Sequence, residues 1–192
     1  MVEIIPSVTE CFTLMDKYEM YENIRAHSKV VAGVASCLHT ELGKKLPPQN
    51  LPDQELVVAG ALLHDIAKTP CLKKGCRHAE FGIEICLGEN LPSIGEIVGE
   101  HVVLSSYSSK RCYSGIFSAK ELVYYADKRV KHDEIVDLDD RLDYILENYG
   151  QKNPLIEQRI RLNFAQCVEL ERSIFSFLDI SPEGVKSTIS HS

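Results

Sequence analysis

Four histidines of this chain fall on apolar stripes with helical spacing. His27 lies between Ile24 and Val31. His64 follows Val57, Gly60 and Ala61, and His101 follows Ile94 and Val98, each at one or two turns' distance. His78 opens a segment whose inner face includes Phe81 and Ile85. A 3.6-residue period turns all four toward a core. An imidazole buried without a partner costs about 1–3 kcal/mol, so a fold that takes in four of them has to satisfy each one. Two acids stand in equally apolar surroundings: Asp65 directly after His64, and Asp127 at the end of Leu122–Asp127. Adjacent residues on a helix lie about 100° apart, so His64 and Asp65 can hold two sides of one centre. A shared metal would satisfy the whole set.

The rest of the chain supports a string of helices. Strand-like alternation is scarce, and no Asn-Gly or Asp-Gly hairpin signal occurs. Capping boxes are legible at Ser7–Glu10, Ser93–Glu96 and Ser118–Glu121. The spacing predicts helices over about 21–45, over 53–68 (capped by Asp53 and stopped by Pro70), over 78–87 with Gly88 as C-cap, and over 93–104. Further helices are expected over 118–131, 138–149 and 154–178. Residues 105–117 read as a loop and the tail from Ser181 as frayed. We therefore expect an all-α bundle: residues 1–135 as the core carrying the site, 136–180 as helices packed on the same domain, and 181–192 as the tail.

Composition narrows the function. The 192 residues carry 21 basic and 28 acidic side chains, a net charge of −7, which argues against an extended nucleic-acid surface. No apolar run reaches the ~18–20 residues of a membrane span, and Met1–Pro6 lacks the basic start of a secretory leader. A cytoplasmic location with seven reduced cysteines is the corresponding expectation. Cys71 and Cys76 lack a second pair with zinc-site spacing.

The ordered set His27, His64-Asp65, His78, His101, Asp127, together with Leu62-Leu63-His64-Asp65-Ile66-Ala67-Lys68, resembles the HD-domain metal-dependent phosphohydrolase superfamily. The resemblance covers roughly residues 20–135 and implies an all-α bundle. It further implies that His27, His64, Asp65 and Asp127 are the ligands of the basic single-metal pattern. His78 and His101 correspond to the extra histidines of binuclear members, in which Asp65 would bridge two ions. The ligand order is similar to that of the bacterial symmetrical dinucleoside-tetraphosphatase-like proteins, although Val102–Ser106 departs from their pattern. Mixed nitrogen and oxygen donors suit two divalent transition metals, iron first, with manganese, cobalt, zinc or nickel as alternatives.

The implied reaction is attack on a phosphate ester or anhydride by a hydroxide shared between the ions. The implied substrate is a small phosphorylated metabolite, a nucleotide by preference. Asp65 and Lys68 are the catalytic candidates. Lys68 shares the helical face of His64 and Asp65 and could bind phosphate, as could Arg77, Lys110, Arg111 and Lys128. Two alternatives stay open: a di-iron oxygenase built on the same ligands, and a metal-stabilised ligand-binding module.

Overall fold

The computed structural model describes residues 4–190; Met1–Glu3, on which the leader argument rests, and His191–Ser192 lie outside it. The chain is an all-α bundle, as its periodicity predicts. A short helix, α1 (Val8–Lys17), and a long one, α2 (Glu22–Gly43), open it. Four more follow: α3 (Gln54–Leu63), α4 (Lys68–Lys74), α5 (His78–Gly88) and α6 (Pro92–Glu100). Next come α7 (Ser109–Tyr113) and α8 (Ala119–Lys128), then a hairpin of β1 (Val130–Lys131) and β2 (Glu134–Ile135). The last helices are α9 (Leu138–Tyr149), α10 (Pro154–Phe175) and α11 (Gly184–Ser190). Among the described residues no helix is long and apolar enough to cross a membrane.

The core forms where α2, α3, α6 and α8 meet. Leu38, Leu63, Ile94, Ile97 and Leu122 are fully buried there, each contributing roughly 1.5–3 kcal/mol by its removal from water. Close approach depends on two helical glycines. A Cβ on Gly60 of α3 would lie 2.5 Å from Ile97 Cδ1, and one on Gly82 of α5 would overlap Val98 Cγ1. These two contacts draw α3 and α5 against α6, the helix that ends at His101.

Two capping boxes are present as read. Ser7 N–H donates to Glu10 Oε2 at 2.8 Å, and Ser118 N–H donates to Glu121 Oε2 at 2.7 Å. The third is displaced: the cap falls two residues earlier, on Leu91 instead of Ser93, with Pro92 in the first turn. Pro fits there because the first-turn N–H has no partner within the helix.

Other boundaries also differ from the expectation. The helix over 53–68 is two helices, because α3 ends at Leu63 and His64–Ala67 form a turn closed by Ile66 N–H to Leu63 O and Lys68 N–H to Asp65 O. Pro70 then sits in the first turn of α4, where it is tolerated. Gly88 is the last residue of α5 rather than its cap, and Asn90 takes the left-handed backbone instead. The loop 105–117 contains α7, capped by Ser108. The helix expected to reach 131 stops at Lys128 and gives way to the hairpin, with Val130 opposite Ile135. The tail is not frayed over its described part: α11 docks on α2, burying Val185. Cys71 and Cys76 are joined in a disulfide, which overturns the expectation of reduced thiols for that pair. Cys11, Cys37, Cys86, Cys112 and Cys167 are free.

Candidate metal centre

His27 comes from α2, His64 and Asp65 from the turn after α3, His78 from the start of α5, His101 from the end of α6 and Asp127 from α8. The fold brings all six together. His27 Nε2 lies 3.0 Å from Asp127 Oδ1, and His64 Nε2 lies 3.5 Å from Asp65 Oδ2 and 3.7 Å from Asp127 Oδ1. On the other side of Asp65, His78 Nε2 and His101 Nε2 stand 3.3 and 3.5 Å from Oδ1 and 3.2 Å from each other. Asp65 therefore belongs to two groups able to hold an ion, His27–His64–Asp65 and Asp65–His78–His101.

Three of the rings are oriented from behind. Nδ1 of His27 is 2.7 Å from His132 O, that of His64 is 2.7 Å from Ala61 O, and that of His101 is 2.6 Å from Val98 O. A carbonyl can only accept, so each Nδ1 carries the proton and the Nε2 lone pair faces inward, the arrangement typical of metal-ligating histidines. The carbonyls of Ala61 and Val98 are free for this because α3 and α6 end there, each at the histidine itself.

The donor set fits a cation on its own terms. His64 Nε2 and Asp65 Oδ1 are buried without a hydrogen-bond partner, a costly state for polar atoms. Inward lone pairs and carboxylate oxygens crowd one another, and a positive ion would satisfy both orphaned atoms. Burial works against the charge on Asp65, but the Lys68 ammonium and the His64 ring outweigh it and hold the carboxyl well below the usual carboxylate range. The same balance, with Lys128 as the main favourable neighbour, keeps Asp127 ionised. Burial pushes His78 down to about 4 and also lowers His101. Both are then neutral near pH 7, the form in which an imidazole binds a metal. His64 moves up, because Asp65 and Asp127 outweigh its burial.

The candidate phosphate residues divide. Lys68 Nζ lies 2.7 Å from Asp65 Oδ2, and Lys128 Nζ lies 2.8 Å from Asp127 Oδ2 and 2.8 Å from His101 O. Both line a cavity of about 380 Å³ that opens on the centre. Arg77, Lys110 and Arg111 do not line it. Arg77 is exposed and pairs with Glu80, Lys110 is exposed, and Arg111 pairs with the buried Glu121. Their nearness in sequence to His78 and His101 does not give them the right direction.

The sequence reading missed Arg141 of α9, which is buried, lines the cavity and has Nη2 3.8 Å from Asp127 Oδ1. The signal was available: Arg141 lies on one stripe with Leu138 and Ile145. Ile160 and Phe164 of α10 form part of the cavity wall.

A family model described as HD domain matches residues 24–145. A curated relative, the tRNA (cytidine(56)-2'-O)-methyltransferase of Thermoplasma volcanium, is 28% identical over 151 residues, covering 71% of this chain. The chain spans 42% of that relative's length. No solved structure matches the chain.

Proposed function

The chain belongs to the HD-domain family of metal-dependent phosphohydrolases, and on that premise we propose that it hydrolyses a phosphate ester or anhydride of a small metabolite, a nucleotide by preference. The observation that carries this reading is Asp65 between two groups of donors, with its Oδ1 and His64 Nε2 both buried and unpartnered. His27, His64 and Asp127 would hold one ion, His78 and His101 a second, and Asp65 both. Iron is the first choice of metal, ahead of manganese, cobalt, zinc and nickel. Bound there, such ions supply Lewis acidity toward phosphoryl oxygens and make water nucleophilic near neutral pH.

The chain's own residues do the remaining work. The inward Nε2 atoms are fixed before any ligand arrives, so little rearrangement is needed on binding. Lys68 and Lys128 offset the charge of the two carboxylates and present cations to a phosphate entering the cavity. Phosphoryl transfer depends on this kind of positioning and charge neutralisation rather than on covalent participation by the protein.

The test is metal analysis of protein purified without added metal, followed by a screen of phosphorylated metabolites with iron(II), manganese and cobalt. About two ions per chain and phosphate release are expected. Dioxygen uptake without phosphate release would replace this reading with the oxygenase one.

A further inference from the structure

The cavity over the centre is uneven in its chemistry. Its lining combines the cations Lys68, Lys128, Arg141 and the exposed Arg159 with an apolar wall of Val102, Val103, Ile145, Ile160 and Phe164. Arg141 is 7% exposed, and its Nε is buried without a hydrogen-bond partner. It is a guanidinium facing the cavity with donor capacity to spare, and its planar fork suits phosphate oxygens. Arg141 packs over the Tyr144 ring, 5.4 Å from its centroid, so its position is set before a ligand arrives.

The wall offers little to a hydroxyl. Asn163 is the one neutral amide among the described lining residues, and it is already engaged: its Nδ2 donates to Val102 O at 2.9 Å, and its Oδ1 accepts from the Tyr124 hydroxyl at 2.9 Å. At the mouth, Leu72, Val103 and Tyr149 are 66%, 57% and 52% exposed. Apolar side chains left open around a cavity are what a ligand with an apolar body would cover. A sugar phosphate without a base or ring would bury hydroxyls here with no apolar contact to offset them, which costs affinity. The volume of about 380 Å³ lies at the small end of ligand pockets, roughly 300–1,000 Å³. It suits one ring system with its phosphate rather than two nucleosides joined by a phosphate chain.

We propose that this cavity selects a phosphate carrying one flat apolar body, a nucleobase or aryl group, with Arg141 on the phosphate and the Ile145–Ile160–Phe164 wall on the body, and that it rejects phosphorylated polyols. The proposal rests on the phosphohydrolase reading above and assigns its specificity.

The experiment is calorimetric titration of the protein, as purified with its metal, with inorganic phosphate, phenyl phosphate, adenosine monophosphate and ribose 5-phosphate. Phenyl phosphate and adenosine monophosphate are expected to bind about tenfold or more tighter than inorganic phosphate, and ribose 5-phosphate no tighter. Ile160→Asn, at a half-buried position, removes the gain for phenyl phosphate and leaves inorganic phosphate unchanged. Arg141→Met weakens every probe about tenfold or more with metal content unchanged; Arg141→Lys replaces it if the Met variant does not fold, and is expected to weaken every probe by a smaller factor. Ribose 5-phosphate binding as tightly as phenyl phosphate overturns the selectivity, while its turnover would leave the phosphohydrolase reading standing. Unchanged phosphate affinity in the Arg141 variants removes that residue's role. Failure of every probe to bind or turn over sinks the phosphohydrolase reading, and this one with it.

Discussion

The Lys68 ammonium lies 2.7 Å from Asp65 Oδ2, three residues along the chain and across a break between two helices. Burial disfavours the Lys68 charge, but Asp65 outweighs it and raises the ammonium above its ordinary range. Lys68 is thus a fixed cation beside the residue shared by both donor groups. Lys68→Met is expected to keep the metal content and lower turnover ~10²–10³-fold, the size of losing one charge stabiliser in the transition state. Metal analysis paired with kinetics checks this; loss of metal in the variant would give Lys68 a structural role.

Asp65→Ala removes the one side chain common to both donor groups. Loss of both ions is expected, with the largest fall in turnover of any single change at the centre. His101→Ala takes a donor from one group only and should leave about one ion per chain. Elemental analysis of the two variants after identical purification separates these outcomes. Retention of both ions and full turnover by Asp65→Ala would refute the assigned centre.

Gly82→Ala should destabilise the fold by about 1–3 kcal/mol, the usual cost of overpacking, because the new Cβ meets Val98 Cγ1. Urea unfolding measures the loss. Adding Val98→Ala removes the clashing atom, so the double variant should lose less than the two single changes added together. Strict additivity would mean that the contact does not limit how closely α5 approaches α6.

Alkali should unfold the protein through its buried thiols. Burial is the main cause that pushes Cys11, Cys86 and Cys112 from an ordinary value of 9.0 up to about 12. Between those values the folded chain keeps protons that the unfolded chain has lost. Stability is therefore full below pH 9.0 and falls as pH rises toward about 12. Urea midpoints measured from pH 8 to 11 should fall progressively above 9, and Cys86→Ala should flatten part of that slope. A flat profile in the native protein would contradict the burial argument.

The histidines and acids were legible because each lies on a helical stripe, and stripes converge on the core. The break at His64 was not, since the apolar pattern runs on through Leu63, Ile66 and Ala67 while the backbone turns. Lys68 stays beside Asp65 across that break. Arg77, Lys110 and Arg111 were misread because closeness in sequence says nothing of direction. Arg141 escaped notice because its stripe begins beyond the segment that holds the histidines. Helix α11 spans Gly184–Ser190, too short to be stable alone, and exists through its docking on α2. The Cys71–Cys76 bond joins two residues five apart, and no periodicity announces such a pairing.

The hairpin after α8 has a consequence out of proportion to its size. Its turn residue His132 is exposed and has φ 56, and its carbonyl is the one that accepts the hydrogen bond from His27 Nδ1–H. Which nitrogen of an interior ring is basic is therefore decided by the bend of a surface turn. A β-branched residue at 132, strained at that backbone angle, would tilt the carbonyl away and free the ring to change tautomer. The surface of this protein thus contains at least one position whose backbone sets the chemistry of its interior.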